Sequence, residues 1–219
     1  INPPPGPVSS TMKTLDEVEP RTPISSLPLT INAPGSYYLT GDLTGVSAQD
    51  GIRITASHVT LDLRGFNLVG VNGSLTGINI QQTQVNIVIR NGIIRNWGGS
   101  GIDASLTSNA LIESVAVQNN GGIGLKVDQC GVVTRCVARD NVLVGLLAGN
   151  GSTLRDCAAR NNGDDGIQGG TVGSILNVNN NAGGTISGQF GGVLGQGLIT
   201  VVNAGTISSS SGSGMQAYN

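Results

Sequence analysis

Aromatic side chains are nearly missing from this chain: only 3% of its 219 residues are Phe, Trp or Tyr. Ordinary domains draw much of their buried area from large rings. Any core here must therefore come from Ile, Val, Leu and Ala held on regular backbone. Charge is scarce too, at 11% of residues with a formal net charge of −2. That leaves no basic field for a phosphate backbone, and no basic stripe interleaves with aromatics, so nucleic acid is excluded as an expected partner. No apolar run approaches the roughly 18 residues needed to span a bilayer. With one histidine, His58, and three cysteines, the chain offers no metal-ligand spacing, phosphate-binding glycine loop or Ser-His-Asp arrangement. Cys130, Cys136 and Cys157 form no disulfide framework, because an odd number leaves one unpaired unless it bridges chains. An initiating Met is also missing. The start Ile1-Asn2-Pro3-Pro4-Pro5-Gly6 is expected of an exported protein after leader removal, or of a trimmed chain.

Glycine is what the chain has in excess, with 35 residues. Residues 1–10 are Pro-rich and read as extended or disordered. Thr14 with Glu17 has capping-box spacing, Leu15 and Val18 can share an apolar face, and Pro20 and Pro23 stop the short helix this predicts. Residues 29–39 read as strand, turn, strand. Residues 11–50 are therefore expected to form an N-terminal cap and a first coil, covering strand edges that a solenoid would expose.

From residue 51 the sequence repeats. Gly followed by Ile or Leu recurs at Gly51, Gly77, Gly101, Gly124, Gly145 and Gly166, at intervals of 26, 24, 23, 21 and 21 residues. Each interval holds short alternating runs and an Asn/Gly-rich turn, too short for helix pairs and right for one coil of a β-solenoid. Superposed intervals give three apolar columns, read as interior. They are Leu63, Ile89, Ile112, Val133 and Leu154; then Phe66, Gly92, Val115, Cys136 and Cys157; then Leu68, Ile94, Val117, Ala138 and Ala159. A polar column follows, Asn96, Asn119, Asp140 and Asn161, suited to left-handed backbone and to amide stacking along the axis. After residue 182 the columns fade, and 183–219 reads as a degenerate last coil, a cap or an oligomerisation segment that could make homo-oligomers.

These Gly-Ile repeats, aliphatic columns and Asn-rich turns resemble the pectate-lyase-like right-handed parallel β-helix superfamily. Residues 11–24 with Pro34-Gly35-Ser36-Tyr37-Tyr38-Leu39-Thr40 are similar to the start of many exported bacterial β-helix proteins. The resemblance spans most of 11–182. It implies an all-β, single-stranded parallel β-helix that is secreted or on a bacterial cell surface, and it does not fix an activity.

Chemistry on such a fold is expected on outward columns. On the Gly-Ile strand these are Arg53, Asn79, Asp103, Lys126, Leu147 and Gln168, and two residues on Thr55, Gln81, Ser105, Asp128, Gly149 and Gly170. Together they centre a polar patch on Asp103, Lys126 and Asp128, flanked by Arg53, Asn79 and Gln81. Carboxylates beside a lysine suit a cation or a uronate sugar. A lysine of lowered pKa would also serve as the base that opens β-elimination. The plainer reading is a surface salt bridge between coils. A second outward column, Arg95, Gln118, Arg139 and Arg160, suits bidentate capture of carboxylate or sulfate on an acidic polysaccharide. Its plainer reading is a solvated face offset by Asp140, Asp156 and Glu113. Gly163-Asp164-Asp165 resembles one motif of the polygalacturonase-type glycosidases of this fold, which could use paired carboxylates. That family's Asn-Thr-Asp, Gly-His-Gly and Arg-Ile-Lys are missing here, and the aspartates also read as turn residues. The fold's calcium-dependent lyases gather several carboxylates; only Asp103 with Asp128 leaves Ca²⁺ open, and no cofactor or resident metal is expected. Aromatic sugar platforms are few, with Trp97 placed in a turn. The leading expectation is a non-catalytic secreted module for structure, adhesion or glycan binding. The alternative is a polysaccharide lyase or glycoside hydrolase acting on an acidic polysaccharide through Asp103, Lys126 and Asp128.

Overall fold

A computed structural model describes residues 20–169, 174–180, 185–189 and 191–218. The Pro-rich start and the helix expected around Thr14 and Glu17 lie outside the described residues. All regular structure among the described residues is β-strand, and every strand pairs in parallel with its equivalent one coil away. The chain is a parallel β-helix with three faces.

The first face carries the Gly-Ile strands. Leu29–Ile31, Ile52–Ile54, Ile78–Ile80, Ile102–Ser108, Leu125–Gln129, Leu146–Ala148 and Ile167–Gly169 stack in that order. The second face begins with Thr22–Ile24 on Gly35–Leu39 and continues through Val59–Asp62, Val132–Thr134 and Ser152–Arg155. The third holds Leu43–Thr44, Asn67–Val69, Val137–Arg139 and Ala158–Asn162. Two strands, Val88–Arg95 and Leu111–Gln118, run through both the second and third faces and bend between them.

Left-handed residues make the corners. Asn91 and Ser114 have φ of 60° and 54°, and Arg64, Arg135 and Asp156 occupy the same corner in other coils. A second corner stacks His58, Asn86, Asn109, Cys130 and Gly151, and a third Asn96, Asn119, Asp140 and Asn161, all with positive φ. One αL residue reverses the pleat and turns the strand without a loop. Asn and Asp tolerate this conformation best, which accounts for their density at these positions.

Period-two alternation then puts one side chain in two inside. Leu68, Ile94, Val117, Ala138 and Ala159 stack in register and are fully buried, as the repeats predict. Each large aliphatic side chain so buried stabilises by about 1.5–3 kcal/mol. The neighbouring column differs from its sequence reading. Ile89 pairs with Leu61 rather than Leu63. Leu63 is buried one step further on, and a Cβ on Gly92 would meet its Cδ1 at 2.8 Å. Leu63 thus fills the interior position that Phe66 was expected to take, while Phe66 is only partly buried against the core. Cys136 and Cys157 are buried free thiols in this column. The Cys157 sulfur, then burial, push the Cys136 thiol well up.

The amide ladder lies one residue beyond its expected place. Asn120, Asn141 and Asn162 are buried. Asn120 Nδ2 donates to Asn141 Oδ1, and Asn141 Nδ2 to Asn162 Oδ1, each at 3.0 Å. The same amides donate to the carbonyls of Ile94, Val117 and Ala138. Above them Trp97, which the sequence places in a turn, takes the equivalent position and is buried. Its backbone N donates to Asn120 Oδ1 at 3.1 Å and its Nε1 to the Leu68 carbonyl at 3.2 Å. Toward the C-terminus the strand stacking continues: Ala159 pairs with Ile186 and Ile167 with Val193, and Ile207 and Met215 follow in turn.

Candidate functional site

Outward side chains on the Gly-Ile face form the column the sequence predicts. Arg53, Asn79, Asp103, Lys126, Leu147 and Gln168 are successive register partners. The structure divides this column into two parts with different chemistry. At the N-terminal end, Asp50 is buried and organises its neighbours. Its carboxylate accepts from Arg53 Nε and Asn79 Nδ2 at 3.0 Å each, and from the Thr76 backbone N at 3.0 Å. Arg53 and Asn79, expected as ligand contacts, are therefore held by an internal partner. Asp50 was legible only as the residue before a Gly-Ile pair, a position its chemistry does not mark. Gln81 is half-buried, and its backbone carbonyl accepts from Gln84 Nε2.

The C-terminal part opens into a groove of about 550 Å³. Ser105, Lys126, Asp128, Gln129, Asn150 and Gln168 supply its polar lining, and Leu147 and Leu194 its apolar surface. Gly149 makes room for this arrangement, since a Cβ there would meet Asp128 Oδ1 at 2.6 Å. Asp103 is the register partner of Lys126 but does not line the groove; its Oδ1 accepts from the Ser105 backbone N at 3.0 Å. A bulge between Ala104 and Ser108 breaks the register beside Asp128. Among the described residues no carboxylate lies within ion-pairing distance of Lys126; the pairs formed are Arg21–Asp62, Arg53–Asp50, Arg90–Asp62, Arg135–Glu113 and Arg139–Asp140. The salt bridge that was the plainer reading of the patch is not formed. Sequence reasoning missed Gln129, Asn150 and Leu194, which reach the groove through the bulge, a turn and the coil at 191–203.

On the third face, Arg95, Gln118, Arg139 and Arg160 stack in register. Of the three expected partners, Asp140 pairs with Arg139 at 3.1 Å, whereas Glu113 pairs with Arg135 at 2.9 Å, away from the row. Arg95 and Arg160 form no ion pair among the described residues.

Asp165, in the Gly-Asp-Asp run, is buried, and its pKa is raised to about 6 by burial and then by the neighbouring Asp164 charge, against a backbone hydrogen bond from Gly191. It occupies the same place before a Gly-Ile pair as Asp50. Among the described residues no three His, Cys, Asp or Glu side chains gather closely enough to hold a metal ion, and no helix is long and apolar enough to cross a membrane.

A three-cornered parallel solenoid with its ligand-sized relief on a lateral face defines a class: the β-helices. The sequence matches the family described as the right-handed β-helix region over residues 43–183 and again over 76–219, and the chain belongs to that family. Among solved structures, ORF18 of Geobacillus virus E2 is similar, with a TM-score of 0.52 at 11% identity. The match covers 85% of this chain and 52% of the viral one, so this chain spans about half that protein's length. The A-modules of the mannuronan C-5 epimerases AlgE4 and AlgE6 of Azotobacter vinelandii match at TM-scores of 0.44 and 0.37 and identities of 10% and 15%. They are covered over 90% and 77% of their lengths, and this chain over 91% and 90%. These likenesses are of fold. No curated protein matches.

Proposed function

We propose that this chain is an extracellular β-helix module that binds an acidic polysaccharide along its Gly-Ile face without turning it over. One observation carries the reading: the groove presents the Lys126 ammonium, with no carboxylate paired to it among the described residues, beside amides and leucines. A uronate residue offers a carboxylate for the ammonium, hydroxyls for Asp128, Gln129 and Gln168, and an apolar ring face for Leu147 and Leu194. Binding rather than turnover is favoured because Asp103 is already engaged by the Ser105 amide and stands outside the groove lining. An acid–base pair converging on one substrate proton would need both groups within hydrogen-bond reach. A lyase is the second reading, favoured by the same unpaired Lys126 amine. Calorimetric titration with oligogalacturonate and with neutral dextran tests the module. Saturable binding of the acidic sugar, weakened roughly tenfold or more by Lys126→Ala as for a lost charge-assisted hydrogen bond, is expected. Equal binding by the Lys126→Ala variant contradicts it.

A further inference from the structure

The groove on the Gly-Ile face leaves the arginine row unexplained. Among the described cationic side chains, only Arg53 and Lys126 stand on the Gly-Ile face; the others lie on the second and third faces and the corner between them. That concentration occurs in a chain of net charge −2. Buried Asp62 absorbs Arg21 and Arg90, Glu113 absorbs Arg135, and Asp140 absorbs one edge of Arg139. Arg160 stacks directly on Arg139, is exposed, and has no ion-pair partner among the described residues. Like charges one coil apart repel, and the single Asp140 carboxylate, which pairs with Arg139 and accepts from Asn161 Nδ2, offsets one of the two positive charges.

Beside the row lies a strip of methyl groups. Ile93, Ala116 and Val137 are register partners on the same outward side as the row, two residues earlier on each strand. They are half-buried and, with Arg135 at the corner, line a shallow groove of about 480 Å³. An apolar floor thus runs along the solenoid axis, with the arginine row on one side and the Glu113-paired Arg135 at the corner on the other.

We propose that this third face is a second binding surface, taking an anionic polysaccharide laid along the solenoid axis. Three features select that ligand. Guanidinium forks pair bidentately with sulfate or carboxylate groups. The arginines repeat with the coil, about 4.8 Å per step. A sugar residue advances its chain by a comparable length, whereas same-side residues of an extended peptide repeat at about 6.7 Å and drift out of register. The floor is aliphatic and offers no aromatic surface for base stacking, which single-stranded nucleic acid would use.

Dextran sulfate is the probe, because it carries the anionic groups without a uronate. Its affinity for the intact chain is compared with that of the Arg139→Ala/Arg160→Ala double variant and of Lys126→Ala, with neutral dextran, poly-glutamate and duplex DNA as comparators. The expected result is salt-sensitive binding of dextran sulfate, weakened roughly tenfold or more in the double variant and by a smaller factor in Lys126→Ala. Binding unaltered by the double variant, no binding, or a loss in Lys126→Ala of the same size would overturn a separate second surface. Equal affinity for poly-glutamate or DNA would overturn the assignment to a polysaccharide.

Discussion

Asn141 occupies the middle of the buried amide ladder. It accepts from the Asn120 side chain and backbone N and donates to Asn162 Oδ1 and the Val117 carbonyl. Asn141→Ala leaves several of these groups without partners in a dry interior, where each orphan costs about 1–3 kcal/mol. A loss of roughly 2–4 kcal/mol is expected from denaturant midpoints; a change of a few tenths would mean water replaces the amide. Asp165 gives a pH signature. Its folded value of about 6 lies above the ordinary 3.8, so the folded state holds the proton more tightly. The stabilisation is complete below 3.8 and is lost as pH rises through about 6. Thermal midpoints should therefore rise between pH 7 and 5, and Asp165→Asn should flatten that rise. An identical pH slope in the variant would show that other groups carry it.

At the scale of elements, the third interior column and the outward Gly-Ile column were legible because alternation and coil spacing both fix them. Near Leu61 and Leu63 the reading slipped by two residues. The corner at Arg64 and the Gly65-Phe66 turn belong to a longer coil, and sequence columns assume equal coils. The amide ladder was displaced by one residue because Asn fills both the αL corner and the interior position after it: Asn119 and Asn120, Asn161 and Asn162 look alike until the backbone shows which is turned inward. The groove was half legible, since Lys126 and Asp128 follow from the period but Gln129, Asn150 and Leu194 depend on a bulge and a turn. Trp97 is the element-scale test. A Cβ on Gly51 would meet its ring at 2.6 Å, and one on Gly77 would meet the Gly101 carbonyl at 2.6 Å. Trp97→Ala should cost about 3–5 kcal/mol, seen as a lower unfolding midpoint. A loss under about 1 kcal/mol would indicate that neighbouring coils collapse into the space.

For the whole molecule, the interior is continuous from Ile24 to Val193, so a charge placed anywhere along it should unfold the chain. Val115→Asp or Ile94→Asp inserts an unpaired carboxylate at a site closed to water, costing several kcal/mol. Loss of the β-type circular dichroism spectrum is expected for both; a folded, stable variant would place that column on the surface. The Gly-Ile face is proposed to bind an acidic polysaccharide without cleaving it. Continuous ultraviolet absorbance during incubation with pectate, alginate and a glycosaminoglycan tests it most directly, because β-elimination leaves an unsaturated uronate that absorbs there. A flat trace with all three, from protein that binds at least one of them, is the predicted result. A reproducible rise that disappears in Lys126→Ala, with the fold intact, would contradict it and make the chain a lyase.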